Sequence, residues 1–345
     1  MSAERIVITR YGGPEVLKIE PFDPAPPADD EVSIAVRAIG INFADLFCRL
    51  GLYQAAPKAP FTPGFEVGGE VAAVGAGVDG FHPGDRVLAL TRFGGYTSQL
   101  NVPAKWVRPI PNPWSFEQAA AFPVVFLTAY HGLVNVGRLA AGETVVVQSA
   151  AGGVGTAACQ IAKTLGARVI GTVGSESKRE IALQAGASEV VVSPRYRVWN
   201  QIRELTAGQG VDLVFDAVGG RELRSAYRTL RLGGRLVVYG FAAMMPKGGR
   251  RNWPLIVWRW LRMPRFNPLD LTPRNLLLAG FNLVYLWKNE SLFTEALAQL
   301  AKWAEQGVIR PVVGATFAFN AAPAAHALLQ SRRSTGKIVL TRSGS

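Results

Sequence analysis

The sequence predicts an α/β fold in two parts, a β-rich domain and a doubly wound parallel sheet with helices on both faces. Three observations carry this. Up to about Val125, short strand-like runs alternate with turns rich in Gly and Pro, such as Pro83-Gly84-Asp85. From about Phe126, apolar strand-like runs alternate with helical ones, which implies a parallel sheet covered on both faces. At Val145-Val146-Val147-Gln148-Ser149-Ala150-Ala151-Gly152-Gly153-Val154-Gly155 an apolar strand empties into a glycine-rich turn that opens a helix.

In the first part, residues 6–9, 31–38, 67–74, 86–90 and 96–102 read as strands of a partly open barrel. In the second, 145–148, 169–173, 190–192, 213–216 and 235–240 read as strands with helices between them. A helix near 292–306, a strand at 309–312, and a final helix and strand ending at Leu340 form a tail too short to stand alone, expected to return to the first part. With 345 residues, the chain is long enough for about two domains. At 49% hydrophobic and 18% charged it is globular, with no long disordered tail. Its two cysteines, Cys48 and Cys159, exclude a disulfide framework and a four-cysteine zinc lobe, and each reads as a small buried apolar residue. The start, Met1-Ser2-Ala3-Glu4-Arg5, carries no apolar signal core, so a reducing cytoplasm is the expected address.

The glycine-rich turn suits a dinucleotide pyrophosphate. Gly152 lets the backbone approach the phosphates and Gly155 lets the helix over 156–166 pack close to the strand. The unpaired amides at the helix start and its positive dipole end favour an anion. Ala150 stands where the common fingerprint has its first glycine, but a second β-rich run at 168–173 completes the strand, turn, helix, strand unit. A plain crossover without a ligand is the alternative.

The formal charge of +12 is partly local. Lys247, Arg250, Arg251, Arg259, Arg262 and Arg265 fall in a stretch with no acid before Leu269, mixed with Trp253, Leu255, Ile256, Val257, Trp258, Trp260 and Leu261. Such mixing suits peripheral contact with an anionic membrane. Arginines interrupt the stretch too soon for it to span a bilayer. A basic flap over a pocket and a subunit contact remain equal alternatives, and no recognition motif supports specific nucleic-acid binding.

Gly40-Ile41-Asn42-Phe43-Ala44-Asp45, Arg49-Leu50-Gly51-Leu52-Tyr53, Pro63-Gly64-Phe65-Glu66, Gly84-Asp85-Arg86-Val87, Ala119-Ala120-Ala121-Phe122-Pro123, Leu127-Thr128-Ala129-Tyr130 and Ser149 to Gly155 follow one another in order. This series resembles the medium-chain dehydrogenase/reductases, in their zinc-independent quinone oxidoreductase branch. The basic, Trp-rich insertion, with Gly280-Phe281-Asn282-Leu283 and Ile309-Arg310-Pro311, is similar to the subgroup named for the vesicle amine transport protein. The resemblance implies a GroES-like catalytic domain (1–125 and 289–345), a Rossmann domain (126–288, with the insertion at 244–275), an active-site cleft between them and a homodimer.

A catalytic zinc needs three soft or imidazole ligands around an open position. Where zinc relatives place a Cys this chain has Asn42, and where they place a His before the glutamate it has Phe65 before Glu66. His82, His131 and His326 show no ligand spacing and read as surface or satisfied histidines, so no metal is expected.

Cofactor choice is read after the second strand of the nucleotide unit. An acid there holds the ribose hydroxyls of NAD, whereas small, polar and basic groups hold the extra phosphate of NADP. Val173 is followed by Gly174, Ser175, Glu176, Ser177, Lys178 and Arg179. Ser175 can donate to a phosphate and Lys178 neutralise it, as in the resembling family, so NADP(H) is expected. Glu176 reads as the first turn of a helix, with a ribose contact as its alternative. The family often adds a tyrosine or arginine after the third strand, which makes Arg195 in Ser193-Pro194-Arg195-Tyr196 a candidate.

The resemblance further implies hydride transfer to an enone or a quinone, a small-molecule substrate on whose carbonyl oxygen charge grows. Asn42 and Tyr53 are the candidates near that oxygen, with Asn42 also beside the cofactor. Thr128 is expected at the nicotinamide carboxamide, and the backbone of Gly240-Phe241 over the ring. The bland readings are a turn cap for Asn42, a pocket wall for Tyr53 and a helix start for Thr128. An enolate can be protonated from solvent, so no dedicated acid is assigned. Two other functions remain open: a freestanding enoyl-thioester reductase, in which Lys163 acts, and a membrane-associated nucleotide-binding protein with little turnover.

Overall fold

The computed structural model describes residues 2–192, 197–246 and 252–342. The chain forms two compact units, one made of residues up to Val125 with the segment from Arg310 onward, the other of Phe126–Pro246 and Asn252–Ile309. The candidate Arg195 and the insertion's Lys247, Arg250 and Arg251 lie outside the described residues.

The first unit opens with β1 (Ala3–Ile8) and β2 (Leu17–Phe22), an antiparallel pair. The long β3 (Glu31–Ile41) leads into α1 (Phe43–Leu50), which Gly51 ends in the left-handed region at φ 62°. Then come β4 (Glu66–Val74), β5 (Arg86–Leu90), β6 (Gln99–Pro103), β7 (Val107–Pro109) and α2 (Phe116–Ala120). Along these strands Val32, Ile34, Ile39, Val67, Val87 and Ala89 are buried, and they form the apolar centre of the sheet. Gly40 is required by close approach: a Cβ there would meet the Ala120 carbonyl at 2.2 Å and the Glu66 side chain at 2.7 Å.

After α3 (Pro123–Tyr130) and a wider π turn over His131–Val136, the second unit is strictly alternating. It runs β8 (Thr144–Gln148), α4 (Gly153–Thr164), β9 (Arg168–Val173), α5 (Arg179–Gln184), β10 (Glu189–Val192), α6 (Val198–Leu205), β11 (Val211–Asp216), α7 (Leu223–Thr229) and β12 (Leu230–Val238). The insertion forms α8 (Trp253–Leu261), followed by β13 (Leu277–Gly280) and α9 (Glu290–Glu305). The six strands are parallel in the order β10-β9-β8-β11-β12-β13, so the chain reverses direction across the sheet between β8 and β11. Ligands of such sheets bind at the carboxyl ends of the strands at that point.

Helix α9, expected to return to the first unit with the tail, belongs to the second, and the chain returns to the first unit only with β14 (Val313–Ala318), α10 (Ala322–Ser331) and β15 (Lys337–Thr341), completing a sheet in the order β14-β15-β3-β4-β5-β7, with β6 also on β3. Several strand bounds shift: the strand expected at 235–240 runs Leu230–Val238 and that expected at 6–9 runs Ala3–Ile8, and two shifts have a plain cause. The strand expected at 309–312 begins only at Val313, because Pro311 has no amide to donate to a ladder. The strand expected from Tyr96 begins at Gln99, since Tyr96 and Thr97 turn aside to meet β1, with Ile6 N donating to Tyr96 O at 2.8 Å. The chain is α/β, with a β-rich unit and a unit built on a six-stranded parallel sheet.

Candidate active site

In the second unit, β8 ends at Gln148, and Ser149 turns the chain with φ 55°. Ala150 N then donates to Thr172 O at 3.0 Å, which ties the turn to the end of β9. Helix α4 starts on Gly152, so no side chain caps it. Its first-turn amides have no acceptor within the helix, an arrangement that favours an anion. A Cβ on Gly155 would lie 2.1 Å from the Ser149 carbonyl and 2.7 Å from Ala150 Cα, so only glycine lets the helix start pack on the turn. Gln148 Nε2 donates to Asp216 Oδ2 at 2.6 Å, joining the ends of β8 and β11 across the switch point. Asp216 Oδ1 also accepts from the amides of Val218 and Gly219, yet burial still pushes its carboxyl up to about 6.

The other cofactor candidates stand at neighbouring strand ends. Gly174 follows β9 with open space around it, no atom lying within 4 Å of a Cβ built there. Ser175 is exposed, its hydroxyl 3.0 Å from that of Ser177. Glu176 pairs with Arg179 in the first helical turn, as its sequence position suggests, and Lys178 is half-buried. Gly240 packs on the turn after β11, where its Cβ would meet Ala217 O at 2.8 Å, and Phe241 beside it is exposed. The structure therefore brings Ala150, Gly152, Gly153, Val154, Gly155, Gly174, Gly240 and Phe241 to the carboxyl ends of β8, β9 and β12 in one parallel sheet. Thr128 is half-buried on α3. This cradle of backbone amides and glycines fits a dinucleotide.

In the first unit the candidate Asn42 is the N-cap of α1 and only 8% exposed. Its Nδ2 donates to Glu66 Oε1 at 2.8 Å and, over a long 3.4 Å, to Gly40 O. Its Oδ1 accepts from Lys337 Nζ at 2.5 Å, and Lys337 in turn forms an ion pair with Glu66 at 2.6 Å. Glu66 Oε2 accepts from Val124 N at 2.8 Å. Behind Asn42, its own amide donates to Asp45 Oδ2 at 2.8 Å, Gly64 N donates to Asp45 Oδ1, and the Tyr96 hydroxyl donates to Asp45 Oδ2 at 3.2 Å. Tyr96 Oη lies 3.0 Å from His326 Nε2. Asp45, Tyr96 and His326 are fully buried. Desolvation outweighs the Asn42 amide, the Lys337 charge and the Tyr96 hydroxyl and pushes Asp45 up to about 7, while burial and the Arg49 charge push His326 down to about 3.

Tyr53 sits half-buried on the loop after α1, its ring edge-on to Phe65 at 6.2 Å. His82 is on the surface beside Asp85, and His131 packs its ring on Phe281 at 4.7 Å. Among the described residues no group of three or more His, Cys, Asp or Glu side chains could hold a metal ion. Two functional candidates escape sequence reasoning. The Asp45 role has a signal, since an acid three residues after an N-cap is a capping-box spacing. Lys337 has none, because it lies 295 positions from Asn42.

Comparisons with known proteins agree with this geometry. Residues 28–112 match the alcohol dehydrogenase GroES-like domain, and residues 153–304 match the domain described as zinc-binding dehydrogenase. The human synaptic vesicle membrane protein VAT-1 homolog is 34% identical over 337 residues, covering 97% of this chain and 85% of that protein. The pig quinone oxidoreductase is 34% identical over 343 residues, covering 99% and 97%. The chain belongs to the medium-chain dehydrogenase/reductase family, in its quinone oxidoreductase branch. Among solved structures, Escherichia coli quinone oxidoreductase complexed with NADPH superposes with a TM-score of 0.85 at 34% identity, covering 98% of this chain and 100% of that one. Membership makes the chain an oxidoreductase that uses a nicotinamide cofactor and acts on a small molecule.

Proposed function

We propose that this oxidoreductase reduces quinones or α,β-unsaturated carbonyls with NADPH and without zinc. The observation that carries the cofactor choice is the end of β9, where Gly174 leaves open space, Ser175 is exposed, and Glu176 is engaged by Arg179 instead of offering a free carboxylate to a ribose. Ala150, Gly152, Gly153, Val154 and Gly155 take the pyrophosphate on their backbones, while Ser175 and Lys178 take the 2′-phosphate. Thr128 would hold the nicotinamide carboxamide, and the backbone of Gly240 and Phe241 would hold its ring. When bound, the nicotinamide supplies a hydride to an electron-poor carbon. Asn42 and Tyr53 donate hydrogen bonds to the carbonyl oxygen as charge grows there, and solvent protonates the resulting enolate. The working form is a homodimer.

The test is a panel of quinones and enones followed by NADPH absorbance, repeated with NADH. Turnover with NADPH and far less with NADH is expected. No oxidation of NADPH by any member would overturn the reading. The enoyl-thioester alternative is weakened in one part: Lys163 lies in the exposed last turn of α4, its stem against Gly186, about 15 Å along the helix from the glycine-rich turn.

A second reading has its own observation. No described helix is long and apolar enough to cross a membrane, yet α8 turns its apolar side outward. Trp253, Val257, Trp260 and Leu261 recur at helical spacing and are 49% to 61% exposed, while Arg259 faces inward and donates to Met245 O. Arg262 lies over the Trp258 ring at 4.2 Å. An outward indole face flanked by cations suits the surface of an anionic bilayer. Cosedimentation with acidic vesicles at low salt, and little with neutral ones, is expected. Equal and negligible binding to both would leave α8 as a subunit contact or a flap.

A further inference from the structure

We infer that Lys337 and Glu66 are positioning residues that fix which way the Asn42 carboxamide faces, and so make it a donor to the substrate oxygen. The inference rests on the reading above, in which Asn42 meets that oxygen. A carboxamide has one accepting and one donating end, nearly equal in shape, and can turn end for end. Around Asn42 the choice is forced. Lys337 Nζ has only hydrogens to offer and lies 2.5 Å from Oδ1, whereas the Glu66 carboxylate has only lone pairs to offer and lies 2.8 Å from Nδ2. Turning the amide over would set its NH2 against an ammonium and its oxygen against a carboxylate.

The clamp leaves one hydrogen lightly used. Of the two on Nδ2, one is held by Glu66, and the other reaches Gly40 O only at 3.4 Å, the weak end of hydrogen bonding. That hydrogen is the one an incoming carbonyl oxygen can take. The cation on Oδ1 also polarises the amide and strengthens its N–H groups as donors. The pair is built for this place: Glu66 is fully buried, Lys337 is 3% exposed, and they pair at 2.6 Å. Gly40 has no side chain to displace the Glu66 carboxylate, which a Cβ would meet at 2.7 Å. Glu66 Oε2 is taken by Val124 N, so the carboxylate cannot swing away from Asn42 without losing a second bond.

The experiment is a double-mutant cycle on turnover with a quinone or enone. Asn42→Ala is expected to lower kcat about a hundredfold, the effect of deleting one donor to a developing oxyanion. Lys337→Met, which keeps the chain length and removes the donors, is expected to lower kcat at least tenfold in the native background and to have no effect on kcat in the Asn42→Ala background. Lys337→Arg keeps a donor-only head and should restore much of the loss, while Glu66→Gln, which accepts either orientation of the amide, should lower kcat with NADPH affinity unchanged. Circular dichroism checks that each variant folds. If Lys337→Met does not fold, Glu66→Gln in the same cycle decides. Equal losses from Lys337→Met with and without Asn42, or from Glu66→Gln where it decides, would overturn the positioning role alone. Full kcat in Asn42→Ala would overturn the role of Asn42 and the clamp with it.

Discussion

Replacing His326 with glutamine is expected to tilt the dependence of stability on pH. In the folded chain the buried Asp45 titrates at about 7 and His326 at about 3, against ordinary values of 3.8 and 6.5. Asp45 is raised, so its contribution is complete below pH 3.8 and is lost as pH rises through about 7. His326 is depressed, so its contribution is complete above pH 6.5 and is lost as pH falls toward about 3. Between about pH 4 and 6.5 the folded chain therefore holds one proton on Asp45 and the unfolded chain one on His326, and the pair adds no slope. Geometry favours the neutral His326. The Tyr96 hydroxyl donates to Asp45 Oδ2, so a neutral His326 donates from Nε2 to Tyr96, which leaves Nδ1 as an unpartnered lone pair rather than an unpartnered N–H. In His326→Gln only the Asp45 arm survives. Relative to the native protein, the variant should gain on the order of 3 kcal/mol as pH falls from 6.5 to 4, at about 1.4 kcal/mol per pH unit. Asp45→Asn should show the opposite tilt. Urea unfolding of all three proteins at four pH values, followed by tryptophan fluorescence, reads the slopes. A native and a His326→Gln curve that stay parallel across this range would refute a neutral buried His326.

Three further outcomes are expected. Gly155→Ala drives a Cβ to within 2.1 Å of backbone, so it should destabilise the second unit by about 1 to 3 kcal/mol in thermal melts and abolish stabilisation by NADPH, whereas Gly174→Ala, with open space around it, should melt like the native protein. Lys178→Ala should weaken NADPH by about tenfold or more, the loss of one charge-assisted bond to phosphate, and leave NADH unchanged in fluorescence titrations. Dialysis against a chelator should alter neither melting nor turnover, since Asn42 and Phe65 stand where zinc relatives carry ligands; one tightly held zinc per chain by elemental analysis would contradict this.

The dinucleotide half was legible because its determinants are local. A strand, a turn and a helix within one short segment show their periodicity and their glycines directly, and the close approaches at Gly155 and Gly240 are the reason those positions carry no side chain. The basic insertion was legible as composition but not as shape. Its residues gave a mixture of indoles and arginines, and only the folded α8 shows that Trp253 and Trp260 point out while Arg259 points in. The buried polar chain of the first unit was scarcely legible at all. Arg49 and Gln330 meet at 2.6 Å across 281 positions, and Tyr96 and His326 at 3.0 Å across 230. No window of sequence spans such pairs, and a buried histidine on α10 reads there as an ordinary one.

Lys337 shows how the distance is bridged. Strand β15 runs antiparallel to β3, with Ile338 opposite Ile41, Val339 opposite Gly40 and Leu340 opposite Ile39. Extending that register by one residue sets Lys337 level with Asn42, where β3 ends and α1 begins. Strand side chains alternate faces, so Lys337 shares a face with Val339, which packs on Ala38, Ala120 and Ala121, and a slip of one position would carry Gly336 or Ile338 to that level and force Ile338 or Leu340 into the place that fits Val339. The burial of Ile338, Val339 and Leu340 thus fixes the register, and the register delivers the ammonium to Asn42. The polar contact at the site is therefore a consequence of apolar packing at the other end of the sequence, and a register-breaking change such as Leu340→Asp would be felt at Asn42 without touching it.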